Sequence, residues 1–257
     1  MTTPDAGWVD SHCHLYMLED SPSDVLDRAA TVGVRWVVCP GVDLASSLTA
    51  RTVAADDPAR VRWTAGLHPH DATKWPEEGS RIASLAIDAA AIGECGLDFY
   101  RNLSPREEQI AAFRGQIELA VELGKPIVIH CRDAFADVYG LLAAADLGER
   151  AVLHSWTGGR RWTRRFLDLG VTFSFAGMIT YPTADTIRLG IAEIPIERVL
   201  VETDSPYLTP EPFRAQPNEP VRLPLTGSVL AELWSMPIED VATQTARNAA
   251  RVFGAPG

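Results

Sequence analysis

The stretch SPREEQIAAFRGQIELAVELGKPIVIH, residues 104–130, predicts a helix followed at once by a short buried strand. Ser104, Pro105 and Glu107 have the order of an N-cap, a first helical residue and an N3 acid. Apolar residues then recur at helical spacing until Gly124, and the glycine with the nearby proline ends the helix. Residues 126–130 are a run of apolar, mostly β-branched residues that ends at a histidine. The stretch therefore predicts one helix–strand unit of an α/β protein.

Similar units recur along the chain. Seven further apolar runs of strand length alternate with amphipathic stretches, so that the predicted strands are residues 7–10, 34–41, 61–67, 91–96, 126–130, 151–154, 171–177 and 199–203. Helices are also expected at 23–32, after a Ser-Pro-Ser cap region, and within 224–234 and 238–253. The proline-rich residues 205–224 are expected to form a long ordered loop over the active-site face. The pattern predicts a single-domain (β/α)8 TIM barrel over residues 1–257, with a doubly wound open sheet as the alternative.

Composition excludes several classes of protein. The chain has 257 residues with 34 acidic and 23 basic side chains, a net charge of −11, which argues against a long groove for duplex nucleic acid. A small pocket made locally positive by metal ions stays compatible with that charge. No apolar run is long enough to span a membrane, and the start MTTPDAGWVD lacks the basic and apolar regions of a signal peptide, so a cytoplasmic location is expected. Four scattered cysteines without a C-x-x-C pair indicate reduced thiols.

All six histidines fall at the carboxyl end of a predicted strand. Glu94 has the same position on the fourth strand and Asp204 on the eighth. In a barrel these strand ends converge on one mouth, where residues distant in sequence become neighbours. A lone histidine there is usually a core residue, but the combination favours metal binding. The predicted metal ligands, enough for two divalent ions, are His12, His14, Glu94, His130, His154 and Asp204.

Alternation of side chains along a strand refines this set. If His12 points into the barrel, Asp10 and His14 do so too, and Asp10 is then a candidate to fix the tautomer of an imidazole ligand. The same rule turns three cysteines away from the centre, so we expect packing roles for Cys13, Cys95 and Cys131.

Further residues at the mouth are candidates for contact with substrate. His68 is expected to touch substrate, whereas His70 fits a ligand, a substrate contact or a polar rim residue. Asp98 either orients the chemistry or caps the turn that follows it. Trp156 lies two residues after His154, so its side chain is expected to point to the same side of the strand, where it either stacks on a nucleobase or packs under a loop.

At these residues the sequence resembles the TatD family of metal-dependent deoxyribonucleases, which belong to the amidohydrolase-like barrels. The resemblance covers nearly the whole chain and rests on DSHCHL (10–15), GLHPH (66–70), GECGLDFYR (93–101), Gln109, Gln116, PIVIHCRDA (126–134), LHSWTGG (153–159), LVETDSPYLTP (200–210) and NEP (218–220). It implies one ion held by His12, His14 and Asp204, a second held by His130 and His154, and Glu94 as the bridge. It also implies cleavage of phosphodiester bonds, commonly 3′ to 5′ on DNA. The family's usual Cys-Phe after the sixth-strand histidine is replaced here by Ser155 and Trp156.

The expected mechanism is hydrolysis by a water that two divalent cations activate. Asp204 would position the water or accept its proton, with Glu94 as the second catalytic carboxylate, and His68 or Arg132 would bind a flanking phosphate. The ligand types do not distinguish Zn, Mn, Mg, Fe or Ni. The expected partner is DNA or another phosphodiester, single-stranded or at its ends, with no membrane and no obligate protein partner. Two alternatives stay open: a metallohydrolase of the same fold that acts on a small amide, lactone or phosphoester, and a non-catalytic metal-binding scaffold.

Overall fold

A computed structural model describes residues 7–256 and shows eight parallel strands in sequential order from β1 to β8. The strands are β1 (Trp8–Asp10), β2 (Val34–Cys39), β3 (Val61–Ala65), β4 (Ala91–Asp98), β5 (Ile127–Arg132), β6 (Ala151–Leu153), β7 (Thr172–Phe175) and β8 (Val199–Val201). Next to the outer strands, Ser11 N–H donates to the carbonyl of Val201 at 3.0 Å and Cys13 forms a parallel bridge to Ser205. These contacts close the sheet into a TIM barrel, so the predicted fold is confirmed and the open-sheet alternative is wrong.

Nine α-helices in the described range surround the barrel. They are α1 (Pro22–Ala30), α2 (Leu44–Asp56), α3 (Trp75–Ala86), α4 (Arg106–Leu123), α5 (Phe135–Ala143), α6 (Arg160–Asp168), α7 (Asp185–Ile191), α8 (Leu223–Trp234) and α9 (Ile238–Phe253). Most helices follow a strand and precede the next, which places the strand-to-helix loops at one mouth of the barrel.

The core has two parts. The larger cluster lies between the strands and the surrounding helices, with Phe113, Phe166 and Ile82 fully buried in it. A smaller cluster joins alternate residues of the strands, such as Val38, Val128 and Leu200, to Phe253 at the end of α9. Because side chains alternate along a strand, the second cluster fills the barrel interior and α9 closes the end opposite the mouth.

The N-cap predicted at Ser104, with Pro105 as the first helical residue, is wrong by one position. Pro105, with ψ of 142°, is the N-cap residue and α4 begins at Arg106. Ser104 does not cap the helix, because its hydroxyl donates instead to the carbonyl of His70 at 2.8 Å. The predicted end is confirmed, since Gly124 adopts the left-handed conformation at φ 64° that terminates the helix without a Cβ penalty.

The loop after β8 is held to the mouth by a buried asparagine. The Asn218 side-chain amide donates to the carbonyls of Thr203 and Tyr207, each at 2.8 Å. These bonds fix the proline-rich segment over the strand ends, as the sequence predicts. Within residues 7–256, no helix combines the length and the apolar character needed to cross a bilayer. Most of the N-terminal stretch from which the absence of a signal peptide was predicted lies outside the described residues.

Candidate metal centre

The centre of the mouth is the carboxylate of Glu94, which is buried on β4. Its Oε2 atom lies 3.2 Å from Nε2 of His12. Its Oε1 atom lies 3.0 Å from Nε2 of His154 and 3.2 Å from Nδ1 of His130. The carboxylate therefore touches imidazoles that β1, β5 and β6 bring from three sides.

A bulge in β4 positions Glu94. The pairing of β4 with β5 shifts register between Ile92 and Cys95, and Gly93 has a φ of +128°. A Cβ on Gly93 would lie 2.6 Å from the carbonyl oxygen of Val128, so glycine is required at this close approach. Bulges re-aim the side chains beside them, and this one turns the Glu94 carboxylate toward the barrel axis.

A second group lies between β1 and β8. Nε2 of His14 is 3.5 Å from Oδ1 of Asp204, and Nε2 of His12 is 3.8 Å from the same oxygen. Asp204 has a φ of +57°, which turns it out of the path of β8. The structure thus brings all six predicted ligands together, in overlapping groups of three that share His12 or Glu94, and one of these groups also contains His68.

His12 shows that the site fits a cation. Both of its ring nitrogens are buried and have no hydrogen-bond partner, although Nε2 lies 3.2 Å from Oε2 of Glu94. A buried polar atom without a partner is costly unless something else satisfies it. A divalent cation between His12 and the carboxylates would satisfy that nitrogen, and imidazole with carboxylate is a donor set that such ions accept.

Hydrogen bonds at the outer ring nitrogens decide which histidines offer a free lone pair to the centre. Nδ1 of His154 lies 3.2 Å from a carboxylate oxygen of Glu202, and Nε2 of His130 lies 3.1 Å from a carboxylate oxygen of Asp98. An ionised carboxylate only accepts, so each ring places a proton on its outer nitrogen. In the neutral form of each ring the inner nitrogen, which faces Glu94, is therefore the one whose lone pair can bind a metal in place of a proton.

His14 and His68 have opposite tautomers. Nδ1 of His14 contacts the Tyr16 hydroxyl at 3.2 Å, and that hydroxyl donates its own proton to the carbonyl of Pro40. The Tyr16 oxygen therefore accepts a hydrogen bond from Nδ1 of His14. In the neutral ring, Nε2 of His14 then carries no proton and its lone pair is free. Nδ1 of His68 instead accepts the backbone N–H of His70 at 3.2 Å. The neutral ring of His68 therefore carries its proton on Nε2, 3.3 Å from Glu94, and acts as a donor there.

The charges of the centre favour a cation. Burial would raise the pKa of Glu94, but the imidazoles of His154, His68 and His12 outweigh burial and hold it well below its usual value. Burial lowers the pKa of His154, yet Glu94 and Glu202 raise it far above the usual value. Burial lowers the pKa of His68 to about 4, so that ring is neutral at physiological pH. The carboxylates are thus ionised and surround a point that attracts positive charge.

Two acidic residues support the histidines. Glu202, which sequence reasoning missed, accepts from Ser155 N–H at 2.8 Å as well as from His154. Glu202 lies two residues before Asp204, so alternation along the strand places both side chains on the same face, and this pattern would have identified Glu202 from the sequence. Asp98 caps the turn that follows it, as one of the two expectations had it, because one oxygen accepts the N–H groups of Tyr100 and Arg101 at 3.0 and 2.7 Å, and its other oxygen contacts His130.

Asp10 does not fix an imidazole tautomer, so that expectation is wrong. Its carboxylate accepts the backbone N–H groups of His12 and Thr203, at 3.2 and 2.9 Å, and the hydroxyl of Thr203 at 2.6 Å. Asp10 therefore joins β1 to the end of β8 through the backbone. His70 lies at the rim, where Nε2 contacts Asp98 at 3.0 Å. All four cysteines are free thiols and none belongs to a ligand group of the described residues.

Trp156 is not a stacking surface, so that alternative is wrong. Its side chain is 1% exposed and its indole N–H donates to Thr163 at 2.9 Å. The ring packs edge-on against Phe135 and Phe166, each with centroids 5.1 Å away. The alternation that predicted an inward side chain ends at Ser155, whose φ of +44° turns the next residue into the helix layer.

Arg132 ends β5 at the mouth and is exposed. Its guanidinium carbon lies 4.1 Å from the centroid of the Tyr100 ring. It forms no ion pair within 4 Å among the residues that the structure describes. The side chain is thus positioned and free to bind an anion.

Comparison with known proteins gives a family match over nearly the whole chain. The family model described as TatD related DNase matches residues 9–254. The metal-dependent hydrolase YcfH of Escherichia coli K12 is 34% identical over 255 residues, which cover 95% of each chain. The 3′-5′ ssDNA/RNA exonuclease TatD of Yersinia pseudotuberculosis is 37% identical over 238 residues, which cover 89% of this chain and 92% of the relative.

A solved structure agrees with the fold. The crystal structure of YjjV, a TatD homologue from Escherichia coli, superposes with a TM-score of 0.90 and 28% identity, and the match covers 98% of this chain and 100% of that one.

Proposed function

Because the chain belongs to the TatD-related DNase family of metal-dependent hydrolases, we propose that it hydrolyses phosphodiester bonds at the ends of single-stranded DNA in the cytoplasm. The observation that carries this proposal is the convergence of five imidazoles on two carboxylates, with unpartnered nitrogens on His12. The name of the Yersinia relative supports the 3′ to 5′ direction. Free thiols at all four cysteines agree with a reducing compartment.

We assign two divalent ions to this centre. His12, His14 and Asp204 would hold one ion and His130 with His154 the other, while Glu94 lies between the two groups and would contact both. When bound, such ions supply Lewis acidity, which lowers the pKa of water and offsets negative charge on phosphoryl oxygens. Zinc, manganese, iron and nickel suit the donors, and magnesium suits so many nitrogens less well.

The remaining tasks belong to side chains of this protein. His68 holds its Nε2 proton 3.3 Å from Glu94 on a side chain that is 12% exposed, and it would donate this proton to a non-bridging phosphoryl oxygen in place of Glu94. Arg132 binds the adjacent phosphate as an unpaired guanidinium at the rim. The imidazoles of His14, His12 and His154 outweigh burial and lower the pKa of Asp204, so this carboxylate is ionised and orients the attacking water or accepts its proton.

The direct test is hydrolysis of end-labelled single-stranded DNA by the purified protein with Mn2+. We expect nucleotides to be released from the 3′ end, and we expect His130→Ala to lose at least a hundredfold in kcat/KM. Arg132→Ala should raise KM, whereas Arg81→Ala, at an exposed arginine on α3, should match wild type. Hydrolysis of a small lactone, amide or phosphomonoester in place of DNA would contradict the proposal.

A further inference from the structure

Two exposed tyrosines lie at the rim of the metal centre. Tyr207 is 53% exposed in the loop after β8, and Tyr100 is 62% exposed in the turn after β4. Each ring offers an open aromatic face at the rim, where a stacking partner from outside the chain can reach it.

Tyr207 borders the half of the centre that His14 and Asp204 form. Its backbone N–H donates to the carbonyl of Asp204 at 2.8 Å, and its own carbonyl accepts from Asn218 at 2.8 Å. Its ring centroid lies 6.1 Å from that of His14, edge-on at 77°. Among the described residues, its hydroxyl contacts only the sulfur of Met17, at 3.7 Å. The backbone is therefore fixed and a large part of the ring is open to solvent.

Tyr100 borders the half that His130 forms. Its N–H donates to Asp98 at 3.0 Å, and the second oxygen of Asp98 contacts His130 at 3.1 Å. Arg132 covers part of the Tyr100 ring, with its guanidinium carbon 4.1 Å from the centroid. This cation–π contact places an aromatic surface and an unpaired positive charge side by side.

The two tyrosines lie on opposite sides of the barrel mouth. Tyr207 follows β8, which adjoins β1, and Tyr100 follows β4, which pairs with β5. In a closed barrel of eight sequentially ordered strands, β8 and β4 are half a circumference apart. Glu94 and its imidazoles lie between them, so a chain that crosses the centre passes one tyrosine on each side.

We propose that Tyr207 and Tyr100 are stacking surfaces for the two nucleobases that flank the scissile phosphodiester, with Arg132 binding the phosphate on the Tyr100 side. The inference rests on the proposed function and adds how the substrate is recognised. Every base has a π-face, so stacking of this kind tolerates any sequence. Bases in a duplex are already stacked on their neighbours, so the two surfaces select single strands over duplex.

The test uses one short DNA oligonucleotide in three forms with the same sugar–phosphate backbone: all bases present, no base 5′ to the scissile bond, and no base 3′ to it. The variants are Tyr207→Ala and Tyr100→Ala, with Tyr207→Phe and Tyr100→Phe to keep the ring. Ile87→Ala is the matched control, because Ile87 is also 62% exposed but lies before β4, at the opposite end of the barrel.

Each alanine variant should lower kcat/KM on the complete oligonucleotide about five- to a hundredfold, the range measured for loss of one stacked base. On the oligonucleotide that lacks the base next to the substituted tyrosine, kcat/KM of each alanine variant should equal that of wild type. The missing base that removes the difference from wild type should be the 5′ base for one variant and the 3′ base for the other. The phenylalanine variants and Ile87→Ala should stay near wild type on all three.

The outcomes separate this inference from the proposed function. A wild-type protein that cleaves none of the three oligonucleotides refutes the proposed function. Cleavage by wild type at equal rates with and without bases overturns the stacking inference alone. Losses in the alanine variants that are equal on all three oligonucleotides also overturn it, since a structural defect would act without regard to the base.

Discussion

Glu202 accepts a hydrogen bond from Nδ1 of His154 at 3.2 Å, while Nε2 of the same ring lies 3.0 Å from Glu94. One carboxylate thus sets which nitrogen of His154 faces the centre, and it is itself held by Ser155 N–H at 2.8 Å. Asp98 does the same for His130. The geometry of the centre therefore depends on residues that do not face it directly.

Replacing Glu202 should weaken the centre without removing a proposed ligand. We expect Glu202→Ala to lower metal affinity or kcat/KM about 10- to 100-fold, because His154 loses the acceptor that fixes its tautomer. Glu202→Gln keeps an acceptor and should lose less. Titration of the metal-free protein with Mn2+ measures the affinity, and unchanged binding in Glu202→Ala would show that His154 needs no such support.

Trp156 should matter for stability and not for recognition of bases. Trp156→Ala removes a ring that is packed among three phenylalanines, so we expect a loss of about 3–5 kcal/mol in the free energy of unfolding. The ratio of its rates on DNA with and without bases should equal that of wild type. Urea unfolding and the two rates check this, and a selective loss on base-containing DNA would restore the stacking role.

The sequence predicted the barrel and the histidine positions because both depend on local patterns. Apolar runs of strand length gave all eight strands, and the boundaries of α9 agree at both ends. Two of the errors, at Ser104 and Trp156, have one kind of cause. At each position a tertiary contact or a turn competes with the local rule: the hydroxyl of Ser104 is used by His70, and the left-handed Ser155 ends the alternation.

Hydrogen bonds that orient a histidine, such as the one between Glu202 and His154, were harder to predict. They require the register of two separate strands, which a single sequence does not specify. The opposite tautomers of His14 and His68 also follow from neighbours in space, Tyr16 with Pro40 in one case and the backbone of His70 in the other.

Gln116 should hold the loop that presents His68. This buried side chain accepts from Leu67 N–H at 2.7 Å and donates to the Leu67 carbonyl at 3.0 Å. Gln116→Leu leaves two buried backbone groups without partners, at about 1–3 kcal/mol each, so we expect about 2–5 kcal/mol less stability. Gln216→Leu, at an exposed position, should change it by about 0.5 kcal/mol or less. Equal unfolding midpoints for the two variants would refute this role.

Asp10 should make the metal-free protein less stable as the pH rises. Burial raises its pKa from 3.8 to about 7, despite hydrogen bonds from Thr203 and His12 that favour the charged form. The folded state thus holds the proton more tightly than the unfolded state. The resulting stability is complete below about pH 4 and is lost as the pH rises through about 7.

The check on Asp10 is urea unfolding of wild type and Asp10→Asn between pH 4 and 8, with chelator present. The stability of Asp10→Asn relative to wild type should improve as the pH rises, because the amide does not ionise. A constant difference over this range would mean that Asp10 titrates near its usual pKa in the folded protein.

Anomalous diffraction from crystals equilibrated with Mn2+ tests the metal centre most directly. We expect two peaks between Glu94 and the surrounding imidazoles, one beside His14 and Asp204 and one beside His130 and His154, each about 2.0–2.3 Å from the ligand atoms. Crystals of His130→Ala should lose the second peak and keep the first. A mouth without anomalous signal at saturating Mn2+, or peaks bound only at other sites, would contradict the account.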